Sequence, residues 1–450
     1  MSNQRAPSVH SQHSNNGPAT LQPTTSDEPL FGAPQRKVTI HSVRSLHSTM
    51  GDHNNHNGVL LGSESSHRPH RQPLTILQCL KTILFATKIN VLLIFVPLGI
   101  IAEQLHWSDT VVFVLNFIAI IPLAKRYATE DIALRLGENL GALLNASFGN
   151  AVELILSIVA LTQHNVEVVK ASVLGSVLSN LLFVLGFCFL FGGLKYQVQT
   201  FNQTAAQTSA SLLALSCMSM LIPAAFLASK PNIDSAHNID YLSYGTAIVI
   251  LLVYVVYLIF QLRTHSHLYA SEDEPEEEPI LPLWMSVTLL LAVTVLVAFL
   301  AEYLVGSIEG LSVAWGLNHT FIGLVLLPIV GNAAEHVTAV SVAMKNKMDL
   351  AIGVAIGSSM QIALFVTPLL VILGWIMQVP GMNLAFNTFE TAVLFISVLI
   401  VNYLIQDGES NYLEGVMLLA SYVIIAIACF FYDDEVGGGS TGAAPAGKVH

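Results

Sequence analysis

The sequence predicts an all-α, polytopic membrane protein of eleven transmembrane helices: one leading helix, then two five-helix repeats of opposite orientation. Three observations carry that expectation. Of the 450 residues, 53% are hydrophobic and only 11% are Asp, Glu, Lys or Arg, where a soluble domain carries roughly 25% charged residues. The apolar residues gather in runs of about 20, the length that crosses ~30 Å of hydrocarbon as a helix. A short motif in the first half of the chain also returns in the second half at a fixed distance.

Composition excludes several classes at once. The mean hydropathy of +0.63 averages in a very polar N-terminal region. A soluble core of this kind would leave large apolar surfaces facing water. The net charge of −12 argues against a nucleic-acid partner. No G-x-x-x-x-G-K-[ST] phosphate loop and no large soluble domain interrupts the spans, so a primary pump is disfavoured. Paired acids in a duplicated frame suit binding rather than bond cleavage, so no enzyme activity and no cofactor is expected. Cys79, Cys188, Cys217 and Cys429 lie in or beside apolar runs and read as small hydrophobes.

Residues 1–72 form a tail rich in Ser, His, Asn, Gln and Pro. Its apolar content is too low to offset ordering entropy, so it is expected to be a disordered cytosolic tail. Eight of the sixteen histidines fall between His10 and His70 at irregular spacing. A leading transmembrane helix follows within 73–104. The first repeat is assigned to 105–264, an acidic loop to 265–280, the second repeat to 281–432 and a flexible C-terminal tail to 433–450. The predicted spans are 82–102, 108–124, 138–162, 171–192, 205–228, 241–262, 282–305, 319–343, 349–376, 385–405 and 411–431. Their apolar runs do not alternate and are too long for barrel strands. Each must satisfy its own backbone in the lipid bilayer, which selects helices.

Lys and Arg set the orientation. With a cytosolic N-terminus, the cytosolic ends hold Arg68, Arg71, Lys81, Lys125, Arg126, Arg135, Lys195, Arg263, Lys345 and Lys347, and the far side holds only Lys170, Lys230 and Lys448. The loop between spans six and seven is then cytosolic. It carries Glu272, Asp273, Glu274, Glu276, Glu277 and Glu278 around Pro275. Such a charge run is a solvated linker or a regulatory, calcium-attracting segment.

The duplication is the most informative feature. Gly149-Asn150-Ala151-Val152-Glu153 returns as Gly331-Asn332-Ala333-Ala334-Glu335, 182 positions on. Gly175-Ser176 returns as Gly357-Ser358 at the same offset. Five spans per half is an odd number, so the halves enter the membrane from opposite sides. That is an inverted-topology repeat, with a substrate site near the midplane where the halves meet. Glu153 and Glu335 both lie mid-span, where an acid costs about 2.5–3.5 kcal/mol even on a lenient scale, and His336 is the only basic group near them in sequence.

A hard dication such as calcium takes six to eight oxygen ligands. Two carboxylates neutralise it. Asn150, Asn332, Ser358, Gln361 and backbone carbonyls freed near Gly149, Gly331 and Pro328 supply the rest. Two protons neutralise the same carboxylates, so the acids hold protons or the dication, not both. This mutual exclusion is the basis of antiport. Ser179 and Asn180 are second-rank candidates; the offset aligns Ser179 with Gln361 and Asn180 with Ile362, so the halves are not equivalent there. His336, Glu302 and Glu309 are further proton or gate candidates.

"GNAVELILS", "GNAAEH" and "GSSMQIALFV" resemble the signature segments of the cation/proton exchanger family, within the cation/calcium exchanger superfamily. The resemblance covers about residues 75–432 and includes the leading span and the acidic loop. It implies eleven helices and calcium/proton antiport, with calcium and protons as cargo, driven by an acidic lumen at the vacuolar membrane. It also implies that Glu153 and Glu335 are the central carboxylates, with Asn150, Asn332, Ser358 and Gln361 as ligands or gates and His336 within the second motif. The C-terminus would be lumenal. A sodium-coupled calcium exchanger and a manganese/proton antiporter are the alternatives. The sodium exchanger would be expected to carry extra acids after the signature motifs, where this chain has Ser, Asn and Gln.

Overall fold

The structure is a computed structural model that describes residues 88–432, except 125–126, 137, 230–232, 269–278 and 280. The 1–72 tail, Cys79, the start of the leading span, the acidic run Glu272–Glu278 and the 433–450 tail lie outside the described residues.

The apolar runs are helices. They are α1 (Ile89–Gln104), α2 (Asp109–Leu123), α3 (Tyr127–Leu136), α4 (Glu138–Phe148), α5 (Ala151–Thr162), α6 (Val166–Lys195) and α7 (Gln203–Ser229). Then come α8 (Asn238–Thr264), α9 (Leu283–Trp315), α10 (His319–Ala343), α11 (Met348–Ile376), α12 (Thr388–Leu404) and α13 (Tyr412–Phe430). Among the described residues, eight helical stretches are long and apolar enough to cross a membrane, with Asp109–Leu136 counted as one. Three shorter apolar helices, α1, α5 and α12, have 10–17 residues.

Expected boundaries moved, most clearly at two places. The span expected over 138–162 is broken between α4 and α5, where Asn150 leaves helical geometry (φ −109°, ψ 36°). Gly149 lowers the cost of irregular backbone at that point. The span expected to end at 305 continues to Trp315, and Gly316 ends it with a left-handed cap at φ 66°, the usual role of glycine at a helix C-terminus.

Local structure recurs at the 182-residue offset. His164 (φ 58°) ends α5 and Asn346 (φ 63°) ends the α10 segment, both left-handed. The helices that follow, α6 and α11, each contain one π-helical turn, Ser179–Val184 and Ile362–Val366. Such turns interrupt the regular hydrogen-bond ladder.

Burial separates centre from periphery. In α6, 83% of the apolar window is buried, against 17% in α9 and 22% in α8 and α13. The outer helices turn Leu291, Val256 and Ile424 outward, which suits lipid. The α6 and α13 backbones meet at Gly186 and Gly415, because neither carries a side chain. A two-residue antiparallel ladder, β1 (Gln199–Thr200) with β2 (Glu409–Ser410), joins the loops at the ends of these helices. The side chain of Asn411 caps the start of α13, with Glu414 completing the capping box.

A Cβ at Gly415 would stand 2.7 Å from Gly186 O. Gly415→Val is therefore expected to cost about 1–3 kcal/mol and to lower the thermal midpoint in detergent by several degrees. An unchanged midpoint would show that this contact is not tight.

Candidate cation-binding site

The break at Gly149 and Asn150 gives α5 its own N-terminus inside the apolar core. Glu153 sits in its first turn, where unpaired N–H groups and the helix dipole favour a negative charge. Its side chain is buried and reaches α10: a Cβ on Gly331 would stand 2.9 Å from Glu153 Oε1. Gly331 thus makes room for the carboxylate of the other motif. Glu335 lies one helical turn along α10 from Gly331, so both acids serve one patch, since Cβ atoms at that spacing are about 5–6 Å apart.

α11 closes the cluster. Ser358 Oγ lies 2.7 Å from Asn150 Oδ1 and 3.1 Å from Glu335 Oε2. Asn150 Nδ2 donates to Gln361 Oε1 at 2.8 Å. A serine hydroxyl has one proton to give. Ser358 therefore donates to one of Asn150 Oδ1 and Glu335 Oε2 at a time, and a dication would take the same oxygens as ligands. Among the described residues no site gathers three or more His, Cys, Asp or Glu side chains. The donor set is hard oxygen throughout, which fits calcium better than a soft metal.

The other candidates fall in three groups. Asn332 is fully buried, and neither its Oδ1 nor its Nδ2 has a hydrogen-bond partner. Leaving such a group unpaired costs about 1–3 kcal/mol, so Asn332 is poised for a partner that this state does not supply. His336, Ser179 and Asn180 are buried; the His336 ring lies 5.7 Å from Phe183, and neither His336 Nε2 nor Asn180 Nδ2 has a partner. Glu302 is exposed on α9 and lines neither cavity described below. Glu309 bonds His319 Nε2 at 3.0 Å.

Two cavities approach the cluster. One, of about 870 Å³, runs from the exposed Asn202, Asn346 and Asp349 to Ser358 and Gln361. The other encloses about 20 Å³ and is lined by Glu153, Ser157, Ser172, Ser176 and Leu327. Sequence reasoning marks Ser176 as part of the repeat and as a polar residue of its span, and misses Ser157 and Ser172. Ser157 was legible, since it lies one turn from Glu153. Lys170, which the sequence offers only as an orientation charge, has a structural part. It donates to Asn383 Oδ1 and Ala385 O, both at 2.9 Å, and Asn383 Nδ2 bonds Asp240 Oδ1. These bonds tie α6, α8 and the α11–α12 loop together.

A family model described as sodium/calcium exchanger protein matches residues 108–263 and 285–431. The chain belongs to this family. Within it, the chain groups with the cation/proton exchangers. It is 51% identical to a vacuolar calcium ion transporter of Schizosaccharomyces pombe, over 83% of this chain and 92% of that one. It is 41% identical to vacuolar cation/proton exchanger 2 of Arabidopsis thaliana, over 84% and 88% of the two chains. The structure of native YfkE superposes with a TM-score of 0.66 at 37% identity, covering 76% of this exchanger and 100% of that chain. The H+/Ca2+ exchanger CAX has the same fold, with a TM-score of 0.60 at 12% identity and coverage of 78% and 89%.

Gly331→Ala would place a methyl group 2.9 Å from Glu153 Oε1 and push the carboxylate off the shared patch. Calcium affinity is expected to fall about tenfold, the loss of roughly one charge-assisted contact, with the thermal midpoint little changed. Unaltered calcium affinity would separate Glu153 from the site.

Proposed function

We propose that this exchanger is a calcium/proton antiporter that moves cytosolic calcium into an acidic compartment, at the vacuolar membrane, by alternating access. The observation that carries the proposal is the meeting of Glu153 and Gly331, one from each copy of the motif. Several findings support it. The family model matches twice, once on each half. Relatives that this chain largely covers are named as vacuolar calcium transporters and calcium/proton antiporters. The left-handed residues and π-helical turns recur at the offset of the motifs.

In this reading the eight long and three short apolar stretches are eleven spans, with a five-plus-five inverted repeat after α1. The N-terminus is cytosolic and the C-terminus lumenal. The large cavity beside Lys347 and Asp349 is a cytosolic vestibule. Calcium enters it and meets Glu153, Glu335, Asn150, Ser358 and Gln361, and two protons leave. After the protein changes its facing, lumenal protons displace the ion. One pH unit is worth about 1.4 kcal/mol per proton, so two protons across two units supply roughly 5–6 kcal/mol. Exchange of one calcium for two protons is electroneutral.

Glu153→Gln and Glu335→Gln are each expected to abolish proton-driven calcium uptake into sealed vesicles while leaving expression intact. Transport at the normal rate by either variant would remove that residue from the central site. Tags inserted after residues 164 and 346 should report opposite faces of the membrane. The same face for both would end the inverted-repeat model.

A further inference from the structure

The two halves of the molecule are not in the same state, and the 182-residue offset reveals how they differ. Ser359 Oγ contacts Val177 O, and these two positions are each other's counterparts at that offset. A residue touches its own counterpart only at the axis relating the halves, so α6 and α11 cross at the pseudo-twofold. The two cavities are then counterparts as well. Asn145, Leu350, Val354 and Ser358 line the large one. Their equivalents Leu327, Val168, Ser172 and Ser176 line the small one.

The same comparison exposes two contacts made in one half only. Gly175 of α6 lies against the backbone of Leu324, and a Cβ on Gly323 would stand 2.6 Å from the Cβ of Ala171, closing the small cavity. At Gly357 and Gly353, the counterparts of Gly175 and Ala171, a Cβ would meet nothing within 4 Å, because the large cavity lies there. Asn150 is held by Ser358 and Gln361. Its counterpart Asn332 is held by nothing, although Ser176, the counterpart of Ser358, already lies on the same small cavity as Glu153.

We propose that the opposite-facing state is this arrangement with the halves exchanged: Gly357 seats on the α4 backbone at Ala142, and Asn332 takes Ser176 as its partner while Asn150 releases Ser358. The proposal rests on the inverted-repeat reading given above. It makes Ser176 and Gly357 positioning residues, each acting in the state not seen in this structure. Ser358 and Ser176 then stabilise opposite states, and a side chain on Gly357 obstructs only one of them. Losing one hydrogen bond of this kind shifts a two-state ratio by about two- to tenfold.

The test uses the full chain in membrane vesicles, with the four native cysteines replaced and Gly353→Cys as reporter. Ala171 holds the equivalent place, so a small side chain suits both states. A membrane-impermeant maleimide is applied from the face bearing Lys347. Ser176→Ala should raise the labelling rate of the reporter and Ser358→Ala should lower it, each about two- to tenfold. Loss of structure alone would not move the two in opposite directions. Gly357→Val should stop calcium uptake, keep calcium binding and hold the reporter at its fastest labelling in every condition. Serine variants that shift labelling in the same direction, or uptake at the normal rate by Gly357→Val, would overturn the exchange. Tags after 164 and 346 on opposite faces, together with that result, would leave the inverted repeat standing and reject the exchange alone.

Discussion

The structure depends on placing two carboxyl groups in an apolar core without leaving either charge stranded. Taking an ionised carboxylate out of water costs several kcal/mol unless it is paired or neutralised. Glu153 is placed at the N-terminal end of a half-helix, where the dipole favours it. Glu335 has a serine hydroxyl within hydrogen-bond reach. Neither arrangement matches what a bound dication or proton provides. In the proposed antiport the site is therefore most stable when occupied, and either occupant excludes the other.

That requirement accounts for the local irregularities. The chain breaks at Asn150 so that α5 can present an N-terminus at depth. Gly331 is small so that Glu153 can cross to α10. The π-helical turn in α6 begins at the polar pair Ser179 and Asn180, and that in α11 directly follows Gln361, where a regular ladder gives way. The outer helices α8, α9 and α13 carry most of the exposed apolar surface and leave the central helices free of that task. The tie from Lys170 to Asn383 and on to Asp240 holds one end together while the cavity near Asp349 stays wide.

Much of this was legible in the sequence, for identifiable reasons. Hydrophobic run length fixed α10 and α11 to within a residue, because a bilayer accepts few alternatives. The motif repeat located the cluster, since a buried acid is too costly to occur twice by chance. Irregular backbone near Gly149 was legible, but a full break in the 138–162 span was not, because Ala, Leu and Val on either side of Gly149 favour continuous helix. Ser176 was visible as a polar residue, but its place beside Glu153 needed the packing of α5 against α6. The difference in cavity size between equivalent positions was beyond sequence reasoning, because it depends on how the two halves pack against each other.

The central claim is that calcium and protons compete for one pair of acids. Calcium binding to the purified protein, measured by titration calorimetry across a pH series, tests it most directly. On the acidic side the apparent dissociation constant should rise by up to about a hundredfold per pH unit, the slope for two protons displaced. Heats in buffers of different ionisation enthalpy should show matching proton release. A calcium affinity that is flat with pH, with no protons released, would contradict the account.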